Sequence, residues 1–199
     1  SFEPTLDYIA AKIPRWPFDK FRTAEPQIGT QMKGTGEVMS LARTFEEAIQ
    51  KAIRSLDIGR TGFGCEAKQR NYTKATEEQL LEQLTKPTDQ RIFYLHEALR
   101  RGYTPERLYE LTKIDKWFLY KLRNLLQIEK GLVRRVGKGV SRDLLLKAKR
   151  AGFSDFQIAF ALGKHDDEIR EMRKEKGVIP SYKMVDTCAA EFEAKTPYY

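Results

Sequence analysis

From Thr44 to Gly177 the sequence is cut at short intervals by paired start and stop signals for helices. Thr44 with Glu47 reads as a capping box, in which each side chain satisfies a free backbone donor of the other. Phe45, Ala48, Ile49, Ala52, Ile53 and Leu56 follow at helical spacing, and Gly59 can end that helix. Thr76 starts a helix reaching about Leu84. Thr88 caps another, with Ile92, Leu95 and Leu99 on one stripe and Gly102 as its stop. Thr104-Pro105-Glu106 is a strong start, because proline in the first helical position gives up no needed N–H. Asp115 opens a longer helix carrying Phe118, Leu119, Leu122, Leu125 and Leu126. Ser141, Ser154 and Asp166 are the remaining caps, and Gly152, Gly163 and Gly177 the matching stops. Arg60 to Lys74 reads as loop. Trp117 is expected to be substantially buried, in the helical core or at a subunit contact. Helices this short hold only when packed on one another, so the fold class is mainly α, a multi-helix domain.

The flanks differ. Leu6 to Ile13 is nearly all apolar between Pro4 and Pro14, and its length favours a strand with both faces covered. Gly34-Thr35-Gly36 opens a second strand candidate, Glu37 to Ala42. Two strands cannot bury their faces alone, so residues 1–43 are expected to complete a sheet whose other strands lie elsewhere. Residues 181–199 lose the helical period. Tyr182 to Val185 and Cys188 to Phe192 look extended, and Pro197 forbids a helix at the end. A few short strands are thus expected at both ends, and the chain reads as a piece of a longer protein.

The helical region contains an imperfect repeat. Gly102-Tyr103-Thr104, Leu108, Leu111, Lys113 and Asp115 match Gly152-Phe153-Ser154, Ile158, Leu162, Lys164 and Asp166, with an offset of 50 slipping to 51 after Ile158. Each copy is a two-helix corner. Two copies fall short of a solenoid, which needs three or more.

Several function classes drop out. The longest apolar run, Ile158 to Leu162, has five residues, against the roughly 20 of a spanning helix. Cys65 and Cys188 lie far apart with no CxxC, and His96 and His165 are isolated, so neither a disulfide framework nor a zinc site is indicated. The 36 Lys+Arg against 28 Asp+Glu give a net charge of +8, which favours polyanions at long range. Acidic and basic residues alternate along most helices, however, and the densest basic stretch, Arg134-Arg135 with Lys130 and Lys138, is spread out.

The corner Ser154 to Gly177 resembles a helix-turn-helix DNA reader, with Ile158, Ala161, Leu162, Ile169 and Met172 at the right spacing and Gly163 at the turn. In that motif the second helix enters the major groove by its N-terminal residues. Here those are Asp166, Asp167 and Glu168, which would oppose phosphates but suit a helix N-terminus. A basic nucleic-acid-binding module is therefore the alternative rather than the preferred reading. Lys33-Gly34-Thr35-Gly36 has the wrong order for a phosphate-cradling loop before a helix and reads as a tight turn. Asp166/Asp167 and Glu46/Glu47 are neighbours about 100° apart on a helix, so neither forms an acid/base pair. His96 reads as a satisfied residue flanking its helix stripe, and Cys188 as a small buried apolar residue. No nucleophile, base or metal constellation emerges; catalytic, cofactor-binding and metal residues are all expected to be absent from this chain.

Five segments taken in order carry a resemblance: SFEPTLDYIAAKIPRW (1–16), TQMKGTGEVMSLART (30–44), YELTKIDKWFL (109–119), KRAGFSDFQIA (149–159) and VDTCAAEF (185–192). Together they resemble the middle of the carbamoyl-phosphate synthase large chain family, and the likeness runs essentially end to end, weakest near residues 60–86 and 130–141. That family has two ATP-grasp halves with a helical oligomerisation domain between them. The resemblance implies that residues 1–43 end the carboxyphosphate-forming half. It makes residues 44–180 the oligomerisation domain and 181–199 the linker into the carbamoyl-phosphate-forming half. It also implies a cytoplasmic parent ligase using bicarbonate, ammonia drawn from glutamine by a small glutaminase chain, ATP and magnesium or manganese. No cofactor site is implied in this segment. A homo-oligomer through the helical domain is expected, with no nucleic acid and no membrane.

Overall fold

The structure is a computed structural model and describes residues 8–183 and 185. Two strands, β1 (Ile9–Arg15) and β2 (Gly36–Ala42), pair antiparallel with Ile9 opposite Ala42 and Arg15 opposite Gly36. Side chains of β1 alternate between half-buried and exposed. The covering of both faces expected for Leu6 to Ile13 is therefore not supplied by the described residues. Pro14 is accommodated because β1 has only one neighbour here. The inner face of the hairpin rests on helix α1 (Phe45–Ser55). Ser40 Oγ donates to Ala48 O at 2.7 Å and Lys51 Nζ to Leu41 O at 2.7 Å, fixing the two together.

The remaining helices are α2 (Arg70–Thr73), α3 (Glu77–Thr85), α4 (Arg91–Arg100), α5 (Pro105–Thr112), α6 (Lys116–Val133), α7 (Arg142–Arg150), α8 (Asp155–Leu162) and α9 (Asp166–Glu175). Thr76, Thr104, Asp115, Ser141 and Ser154 each accept a backbone N–H of the first turn, as their spacing predicts. Four expectations need correction. Thr44 accepts from Glu47 N, but the Glu47 carboxylate takes Arg43 N instead of closing the box. Gln90, not Thr88, occupies the cap of α4, because the chain first makes a turn closed by Arg91 N to Thr88 O. His165 rather than Asp166 precedes α9, with His165 N donating to Glu168 at 2.8 Å. Arg60 to Lys74 contains a 3-10 turn (Ala67–Gln69) and α2, neither with a side-chain cap; tertiary contacts hold them.

The repeat is larger and more regular than the sequence pattern suggests. It spans three helices, α4–α5–α6 against α7–α8–α9, with an offset of 50 throughout both corners (Pro105 to Asp155, Lys116 to Asp166). The left-handed residue ending the middle helix is Lys113 in one copy and Gly163 in the other. At the constant offset Lys113 stands opposite Gly163 and Asp115 opposite His165, so the slip to 51 read from Leu111, Lys113 and Asp115 is a coincidence of residue type. Tyr103 N donates to Ala98 O and Phe153 N to Ala148 O at 3.0 and 3.1 Å. Leu95 and Leu145, Ala98 and Ala148, Leu108 and Ile158, Leu119 and Ile169 are buried in equivalent pairs.

One continuous core joins both copies to α1 and α3. Trp117 lies outside it at 48% exposure, edge-on to Phe45 and Phe118. The expectation of a buried tryptophan fails within this chain, because the first turn of α6 projects past the stripe Leu119, Leu122 and Leu126. The cost of several kcal/mol that a core aromatic carries does not apply to it. At the other end Tyr182 and Lys183 form no strand. Cys188, Pro197 and the extended segment Cys188 to Phe192 lie outside the described residues, as does Leu6.

Candidate functional site

The segment Arg60 to Glu66 dips into the helical core and is held there by buried polar side chains. Gln50 Oε1 accepts from Phe63 N at 2.7 Å and from Gln157 Nε2 at 3.2 Å, and Gln157 Nε2 also donates to Gly64 O. Arg60 pairs with Glu66 at 2.8 Å and stacks 3.6 Å above the Phe93 ring. His96 is fully buried, its Nε2 2.6 Å from Glu129 Oε2 and its ring edge-on to Phe63. Burial, reinforced by Glu129, pushes the Cys65 thiol well up. A thiol kept protonated is a poor nucleophile, and the grouping packs the loop against α4 and α6. Nothing in local sequence announces the Gln50–Gln157 bond, whose partners are 107 residues apart.

Two clefts separate the hairpin from the helices. The first is apolar, about 350 Å³, with Ile13, Trp16, Phe45, Ile92, Ile114 and Phe118 on its walls. The second, about 580 Å³, is polar and shares Arg15, Trp16 and Asp89 with the first. Burial raises the Asp89 carboxyl above its ordinary value. Phe45, Trp117 and Phe118 form a cluster of edge-to-face rings at the mouth of the apolar cleft. The cleft and cluster form a surface suited to apolar protein contact.

At the corner of α8 and α9 charged side chains pair with partners within the chain. Glu168 is taken by Lys164 at 2.6 Å, and Asp155 binds Arg173 Nη2 at 2.8 Å and Lys149 Nζ at 3.1 Å. Burial opposes ionisation of Asp155, but Arg173 and Lys149 together outweigh it and hold the carboxyl below its ordinary range. A lowered carboxylate stabilises the fold above its unfolded pKa, and that contribution is lost as pH falls through the folded value. Asp155→Asn is therefore expected to cost about 1–2 kcal/mol at pH 7. The gap to the parent should shrink below about pH 4, as thermal melts at both pH values would read.

Lys33 Nζ donates to the carbonyls of Glu25 and Gln27, and Thr35 N to Arg15 O, so Lys33 to Gly36 is a turn leading into β2. Among the described residues no three His, Cys, Asp or Glu side chains are grouped to hold a metal ion. No described helix is long and apolar enough to cross a membrane.

Residues 37–177 match the family described as the carbamoyl-phosphate synthetase large chain, oligomerisation domain. The carbamoyl phosphate synthase large chain of Archaeoglobus fulgidus is 52% identical over 203 residues, covering 100% of this chain and 19% of its own length. That of a Nostoc species is 52% identical over 199 residues, covering 100% and 18%. That of Methanothermobacter thermautotrophicus is 51% identical, with the same coverage of 100% and 18%. The chain thus spans less than a fifth of the length of these curated relatives.

Proposed function

The chain belongs to the carbamoyl-phosphate synthetase large chain family, whose oligomerisation domain it carries, and from that premise we propose that it is a non-catalytic, self-associating connector in a longer ligase. The parent would make carbamoyl phosphate from bicarbonate, ammonia and ATP, with a small glutaminase chain supplying the ammonia from glutamine, in the cytoplasm. Residues 1–43 would end the first ATP-grasp half, residues 44–180 form the connector, and 181–199 lead into the second half. The half-covered hairpin supports this division, since β1 and β2 leave strand edges and an apolar cleft that a larger sheet would fill. ATP and magnesium or manganese would be held by other segments of the parent.

The observation that carries the reading is the helical block itself: two copies of one three-helix unit around a single core, with their polar side chains engaged in holding the fold. The purified chain is expected to show no bicarbonate-dependent ATP hydrolysis above a mock preparation; turnover would overturn the non-catalytic assignment. Light scattering of the parent large chain should give a dimer or larger species that dissociates on dilution. A parent that stays monomeric at every concentration would refute self-association.

A further inference from the structure

We draw no further inference here: the strongest candidate, the basic cleft of about 600 Å³ where Lys51 of α1, Lys149 and Arg150 of α7, Arg173 of α9 and Lys183 meet, carries nothing, because Asp155 and backbone carbonyls already hold Lys51, Lys149 and Arg173 and nothing in the structure shows what covers it.

Discussion

Gly152→Ala is expected to cost about 3–5 kcal/mol, against about 1–2 kcal/mol for Gly102→Ala at the equivalent place in the other copy. Both glycines end the first helix of a repeat, and both have positive φ, +84° and +99°, so each alanine would carry backbone strain. Their surroundings separate them. A Cβ on Gly102 meets nothing within 4 Å, whereas one on Gly152 would stand 2.9 Å from the Glu47 Cα, 2.9 Å from the Gln50 Cβ and 3.1 Å from the Glu47 carbonyl oxygen. Two of those atoms are backbone of the first turn of α1, fixed by its cap and its packing, and cannot swing away. Urea unfolding of both variants reads the difference directly. Equal shifts of the midpoint would show that α1 and the turn after α7 are not in the close contact described.

Glu97→Ala is the second large effect, about 2–4 kcal/mol. Glu97 is fully buried, yet it accepts from Arg100 Nε and Nη2 at 2.7 and 2.8 Å and from Arg101 Nε at 2.7 Å. Burial works against its ionisation, and the two guanidinium groups outweigh burial and leave the carboxyl below its ordinary range. Arg101 in turn donates to Ala75 O at 2.6 Å, just before α3. Removing the carboxylate therefore loosens the end of α4 and its tie to α3 at once. Both guanidiniums reach solvent, which keeps the cost toward the lower part of the range for a broken buried pair. Glu97→Gln keeps the shape and loses the charge, so its denaturant midpoint should fall between those of the alanine variant and the parent. A glutamine variant as unstable as the alanine one would assign the whole effect to charge.

The helix starts were legible because a cap acts within three residues: Thr104, Asp115, Ser141 and Ser154 all sit where their neighbours require. The misplacements share a physical cause. Gln90 and the short helix α2 are set by partners distant in sequence, Tyr72 Oη donating to Gln90 Oε1 at 2.6 Å and Arg60 lying on Phe93. His96 is satisfied at Nε2, as its reading has it, but by Glu129 on α6, and it lies deeper than a flank, fully buried. Trp117 departs in the opposite direction, lying outside the core of this chain, since bulk and apolarity say that a residue wants cover without saying which molecule provides it. The family was legible from five separated motifs.

Helix α1 has a mechanical consequence. On one side it is fastened to the hairpin through Ser40 and Lys51, and on the other Arg54 Nη1 donates to Gly152 O at 2.8 Å, at the turn entering α8. An eleven-residue helix clamped on both sides behaves as a stiff shaft. The hairpin and the turn entering α8 are therefore both tied to one short helix, and a shift of either strains the hydrogen bonds that hold it.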